Sequence, residues 1–189
     1  MAFINLQSLS LAFGTTSLFE DIHLTIESGE KIALVGRNGS GKSTLLKLIA
    51  GIIRPDTGTI AIQKGISVAY LDQMVPGEMP GTVLALVKGD LNRTQDGQET
   101  AFTQRIEKVI SQLGLDSKWI NNTFSAGMKR KVLLAKALAA EPDVLLLDEP
   151  TNHADIDSIK QLEEMLIKFT GTLIFVTHDR MFLQRIALQ

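Results

Sequence analysis

The chain has 189 residues, enough for one domain, or one domain with a small subdomain, and for a properly buried core. Apolar residues make up 44% and charged residues 21%, an ordinary globular composition, and a net charge of −2 supplies no global field that would draw the chain onto nucleic acid or an anionic membrane. The lack of cysteine excludes disulfides and thiolate metal sites, Met1-Ala2-Phe3-Ile4-Asn5 has no signal-peptide pattern, and no apolar run nears the ~18 residues of a membrane span, so a cytoplasmic location without membrane insertion is expected.

Residues 3–35 read as strands. Ile4, Leu6, Leu9, Leu11 and Phe13 approximate alternation, 14–17 is a turn, and Ile22 to Ile26 alternates cleanly. Ser28-Gly29-Glu30 turns into an apolar run, 31–35, and a helix follows over Ser43–Ala50 with Gly51 as its cap. A turn at Pro55–Gly58 leads to two short strands, Thr59–Ile62 and Ile66–Leu71. Residues 74–124 change character: a Pro- and Gly-rich loop, a helix over Val83–Lys88 capped by Thr82, and a polar, mobile stretch over Gly89–Glu99. Helical spacing then joins Ile106, Val109, Ile110 and Leu113, with Trp119 expected in the packing. Ser125 caps a helix to about Ala140 whose apolar face is Val132, Leu133, Ala135 and Leu138. Val144–Leu147 and Leu173–Val176 read as buried parallel strands. Between them Asp155 caps a helix with Ile156, Ile159, Leu162, Leu166 and Phe169 on one face, closed by Gly171. A last helix starts near Asp179, and the alternation of strands and helices predicts a mainly parallel α/β sheet.

The stretch Gly36-Arg37-Asn38-Gly39-Ser40-Gly41-Lys42-Ser43-Thr44 lies between a strand and a helix, the setting of a phosphate-binding loop. Glycines let the backbone approach closely, and the amides of the loop and helix start favour an anion. Lys42 then reaches the β- and γ-phosphates, and the Ser43 hydroxyl ligates Mg²⁺. Asp148 and Glu149 end a buried strand, where one acid can hold Mg²⁺ and its neighbour can orient an attacking water. Spacing alone leaves His178, Gln73 and the helix start at Ser125-Ala126-Gly127 undecided between a site and ordinary structure.

Over nearly its whole length the chain resembles an ATP-binding cassette (ABC), with the family's landmarks in order. Phe13 matches the aromatic that stacks on adenine, 36–44 matches Walker A, and Tyr70-Leu71-Asp72-Gln73 matches the Q-loop. Phe124-Ser125-Ala126-Gly127-Met128 stands in the signature position, 144–149 resembles Walker B with Glu149 as catalytic base, and Thr177-His178-Asp179-Arg180 resembles the switch histidine with its flank. The resemblance implies a phosphate-loop NTPase core with an N-terminal antiparallel β subdomain and an inserted helical subdomain at about 74–140, all within one nucleotide-binding domain over 1–189. It also implies ATP and Mg²⁺ as ligands, with Ser43, Gln73 and Asp148 at the metal, Gln73 and His178 at the γ-phosphate, and Ser125 and Gly127 acting on a partner cassette's nucleotide.

Glu149-Pro150-Thr151-Asn152-His153 followed by Asp155 resembles the F subfamily, whose members carry two cassettes and act on ribosomes. Phe124, Ala126 and Met128 depart from the usual Leu-Ser-Gly-Gly-Gln signature, and Ala154 replaces a Leu in the D-loop. These departures bear on pairing and hydrolysis rather than on nucleotide binding. The chain stops at Gln189, before the family's closing strand and helices, which implies an N-terminal cassette present as a fragment or engineered variant. Expected partners are a second cassette and, through regions absent here, ribosome or RNA. The alternatives are the ATPase subunit of a membrane transporter and an ATP-binding module with little or no hydrolysis.

Overall fold

The computed structural model describes residues 2–74, 77–89, 99–120, 124–152 and 154–187. Most of the polar stretch 89–99, together with His153, lies outside the described residues. The chain divides into two compact units, one of residues 1–70, 142–150 and 170–189, the other of residues 71–141 and 151–169.

The first unit contains two sheets. β1 (Ala2–Phe13) pairs antiparallel with β2 (Thr16–Glu27) and β4 (Thr57–Ile62), in the order β2-β1-β4. β3 (Lys31–Leu34), β5 (Val68–Leu71), β6 (Val144–Asp148) and β7 (Thr172–Val176) form the second sheet in the order β3-β7-β6-β5, with β7 parallel to both β3 and β6. Every residue of β6 and β7 is buried, as their uninterrupted apolar runs require. Helix α1 (Lys42–Ile49) contributes Leu46, Leu48 and Ile49 to one core with Ile4, Leu6, Leu9 and Leu11 of β1 and Val144, Leu146, Ile174 and Val176 of the parallel strands. Each fully buried aliphatic there contributes about 1.5–3 kcal/mol.

The imperfect alternation of the first strands has a physical cause. Leu6 pairs with Leu24 but Leu9 with Ile22, so β1 carries one extra residue, and Ser8 adopts φ 47°. Leu9–Ile22 and Leu11–Phe19 place the next extra residue in β2, where Asp21 adopts φ 50°. The bulges keep Leu6 and Leu9, and then Phe19 and Ile22, facing inward despite a spacing of three. Gly58 (φ +86°) is required beside the first bulge, since a Cβ there would lie 2.4 Å from Ser8 O.

The second unit holds α2 (Val83–Lys88), α3 (Glu99–Gln112), α4 (Ala126–Ala139) and α5 (Ile156–Lys168). Its buried side chains include Val83 and Val87 of α2, Phe102, Ile106 and Ile110 of α3, and Leu162 and Leu166 of α5. Thr82, Ser125 and Asp155 cap their helices as the sequence predicts, each side chain accepting a backbone N–H three residues on. The backbone and hydroxyl bonds from Ser158 hold the Asp155 carboxyl below its usual range. Four details depart from the sequence reading. The buried face of α4 is Val132, Leu134, Ala135 and Ala139, with Leu133 and Leu138 half-buried, because the residue sharing Leu134's stripe is Arg130. Trp119 is 43% exposed and contributes to the unit mainly through its carbonyl, which accepts from Val83 N. Ile156 is exposed because, at the first position of α5, it precedes the buried stripe. The helix ends at Lys168 with Phe169 extended, ahead of Gly171.

Candidate functional site

The first unit brings most of the candidate residues onto consecutive strand ends. The loop between β3 and α1 is drawn back on itself: Ser40 N donates to Arg37 O at 3.2 Å, and Lys42 Nζ donates to Gly36 O and Arg37 O at 2.8 and 3.0 Å. Asn38, Gly39 and Ser40 are exposed along it, and Thr44 is half-buried in α1. Gly41 caps α1 in the left-handed region at φ 92°, where a Cβ would fall 2.6 Å from the Phe19 ring. Both the conformation and the space therefore demand glycine.

Ser43 faces β6. Its hydroxyl donates to Asp148 Oδ1 at 3.0 Å, and the Tyr70 hydroxyl approaches Asp148 Oδ2 at 3.5 Å. Asp148 is 1% exposed, the last residue of a fully buried strand. A serine hydroxyl and a carboxylate are hard oxygen donors of the kind Mg²⁺ takes alongside phosphate oxygens, so this pair fits the ion.

Glu149 and His178 meet because of strand register. Asp148 pairs with Val176, and Glu149 N then donates to Val176 O at 3.0 Å, closing β6 against β7. Two residues beyond Val176, His178 Nε2 stands 3.1 Å from Glu149 Oε1, the histidine largely exposed and the glutamate nearly buried. A local turn aims the histidine: Thr177 Oγ1 accepts from Asp179 N, and Asp179 Oδ1 accepts from Met181 N and Phe182 N at the start of α6 (Arg180–Ala187). That helix is anchored by Phe182, fully buried edge-to-face on Phe175 with ring centroids 5.7 Å apart. Glu149 itself adopts φ 49°, a strained conformation of the kind that clusters at functional sites. Phe13, the last residue of β1, is 61% exposed.

Gln73, Ser125 and Gly127 belong to the second unit. Gln73 is exposed, and its carbonyl accepts from Arg130 Nη2 at 3.3 Å. Ser125 and Gly127 lie at the start of α4, with Ser125 Oγ accepting from Met128 N at 3.2 Å. Sequence reasoning missed Tyr70 at Asp148 and Arg130 at the Gln73 loop. The signal for Arg130 was its place four residues before Leu134 on a helical stripe.

Residues 19–152 match the family model described as ABC transporter. ATP-binding protein Uup of Buchnera aphidicola subsp. Schizaphis graminum is 40% identical over 187 residues, covering 98% of this chain and 32% of that protein. Uup of Escherichia coli strain K12 is 36% identical over 220 residues, covering 99% and 35%, and ribosome protection protein VmlR of Bacillus subtilis strain 168 is 36% identical over 190 residues, covering 97% and 32%. The chain thus spans about a third of the length of these curated relatives. Among solved structures, an ATP-binding subunit of an ABC transporter superposes with TM-score 0.84 at 25% identity, covering 97% of this chain and 82% of its own. The subunit cbiO1 of Clostridium perfringens, part of the ABC transporter complex cbiONQ, superposes with TM-score 0.72 at 26% identity, covering 94% and 79%. The α/β arrangement of parallel and antiparallel sheets with helices is the cassette fold of these proteins.

Proposed function

This chain belongs to the ATP-binding cassette family, and from that premise we propose that it binds ATP with Mg²⁺ and carries the machinery to hydrolyse the γ-phosphate, as a cassette of the F-subfamily type. The observation that carries the reading is the 3.0 Å bond from Ser43 to Asp148, which joins the first turn after the phosphate loop to the buried strand-end carboxylate. Both residues would hold the magnesium ion, with Gln73 as a further ligand, and the ion would supply neutralising charge to the phosphates. The backbone of Gly36, Asn38, Gly39, Ser40, Gly41 and Thr44 would cradle the phosphates, with the Lys42 ammonium on their outer oxygens. Phe13 would stack on adenine. Glu149, with His178 Nε2 at 3.1 Å from its Oε1, would accept a proton from the attacking water, and His178 would sense or position the γ-phosphate. Gln73 would help place that water. Ser125 and Gly127 would close a partner cassette's nucleotide, and the chain would act as one nucleotide-binding domain that works in pairs.

The likeness to Uup supports ATP binding, and the likeness to VmlR, a ribosome protection protein, with Asn152 following Pro150-Thr151, supports a cytoplasmic protein acting on ribosomes. Among the described residues no helix is long and apolar enough to cross a membrane. The structural likeness to transporter subunits favours, as a second reading, an ATPase that drives a membrane protein.

The test is Mg²⁺-ATP titration with turnover in wild type, Lys42→Ala and Glu149→Gln. Losing charge-assisted bonds to phosphate should weaken ATP by about tenfold or more in Lys42→Ala. Losing the base should leave affinity intact in Glu149→Gln and lower turnover by about a hundredfold or more. Unchanged ATP affinity in a folded Lys42→Ala protein would sink the site assignment.

A further inference from the structure

The chain enters the second unit twice, at Leu71 and at Thr151. One side chain holds both segments. Arg130, buried in the second turn of α4, donates from Nη1 to Asn152 O at 3.1 Å and from Nη2 to Gln73 O at 3.3 Å. The adjacent Lys129 donates from Nζ to Gly77 O, so α4 binds the loop after Leu71 at two carbonyls. Main-chain carbonyls carry no side-chain identity, so the guanidinium recognises the path of each segment. A planar fork of donors can span two carbonyls at once, whereas a lysine ammonium on its flexible stem acts as a point charge. On the stripe where an apolar residue would otherwise mark the buried face, the arginine places two donors within reach of both segments.

We propose that Arg130 is a positioning residue that fixes the segments carrying Gln73 and Asn152 in a single register with the helix whose first turn carries Gly127. Its kinetic consequence rests on the role given to Gln73 above: with its carbonyl released, Gln73 would be less well placed for that role, and the rate would fall while nucleotide affinity would not.

Hydrogen exchange of the nucleotide-free chain tests the clasp without any need for hydrolysis. In Arg130→Met, amides at 72–74 and at 151–152 should both exchange about tenfold faster or more, the scale of one bond from a charged donor, while α3 and 36–44 exchange as in wild type. Arg130→Lys keeps the charge and the stem but cannot span both carbonyls, so at least one segment should loosen. Unchanged exchange of either segment in Arg130→Met overturns the proposal. If α3 also loosens in that variant, Arg130→Lys decides, and wild-type exchange of both segments there overturns it. In turnover assays kcat should fall about tenfold with ATP affinity kept, and the loss should disappear in a Gln73→Ala background. A full loss in that background would refute positioning through Gln73. A wild-type chain with no Glu149-dependent turnover sinks the hydrolysis reading, and exchange alone then decides the clasp.

Discussion

Phe13 ends β1 with most of its ring in solvent, and a single exposed aromatic is no anomaly by itself. What singles it out is its presence in the same unit as the phosphate loop and the strand-end acids. If it stacks on adenine, Phe13→Ala should weaken ATP by about 1 kcal/mol or more and leave inorganic triphosphate unaffected, because base–aromatic stacking is worth that much and phosphate gains nothing from it. Parallel titrations of the two ligands check this, and equal weakening of both would make Phe13 structural. Ser43, Asp148 and Glu149 were legible in the sequence because each sits at the end of an apolar run or at the glycine loop, where spacing specifies chemistry, whereas Tyr70 beside Asp148 was not. The strained φ of Glu149 was not legible, since no local pattern marks a left-handed residue before Pro150; it is held by the backbone bond to Val176. Arg130 was hidden for another reason. A charged residue at the start of a helix reads as solvated, and the carbonyls of segments distant in sequence that it reaches are not visible in the local pattern.

Among the elements, the strands that meet at the candidate site are pinned ahead of their first residues. Asp143, just before β6, accepts Ser67 N and Ser67 Oγ on one oxygen at 2.8 and 2.7 Å, just before β5. The backbone bond, then the hydroxyl bond, hold the Asp143 carboxyl below the usual carboxylate range. A depressed carboxylate contributes stability that is present above its unfolded pKa and is lost as pH falls through the folded value. The window is therefore below about pH 4. Asp143→Asn should lower the melting temperature at neutral pH, and the gap from wild type should close as pH is taken down through this window. A gap that stays constant from neutral to acid conditions would remove the carboxylate from the account. The buried strands β6 and β7 were plain in the sequence because continuous apolar runs of that length have few alternatives. The β1–β2 pair was less so. Its spacing of three at Leu6–Leu9 and at Phe19–Ile22 becomes intelligible only with the partner strand in place, since a bulge is a property of a pair. Helix starts were read correctly from their capping residues, whereas the face of α4 was misjudged by one position because Arg130 occupies the stripe that an apolar residue would have marked.

For the whole molecule, the proposed chemistry is divided between chains. The loop, Asp148, Glu149 and His178 lie in one unit, and Ser125 and Gly127 would serve the nucleotide of another cassette. Phosphoryl transfer depends on positioning and on charge stabilisation where water is excluded, so a half-site keeps the contacts that bind phosphate and loses those that speed the reaction. Ala126 adds a methyl at the exposed start of α4, where the family's signature has glycine, and Ala154 offers less apolar surface than the leucine it replaces. Both substitutions should weaken pairing without touching Lys42 or Ser43. The chain should therefore bind ATP as a monomer and turn it over slowly, with a rate per chain that rises with protein concentration. Glu149→Gln with ATP offers the best chance of trapping a dimer, because hydrolysis no longer disperses it. Turnover per chain across about a hundredfold range of concentration, with sizing of the same samples, checks the prediction: a shared site gives a rate climbing with the dimer fraction. Fast turnover independent of concentration in a proven monomer would mean that one chain completes the site unaided, and the contribution assigned to Ser125 and Gly127 would have to be withdrawn.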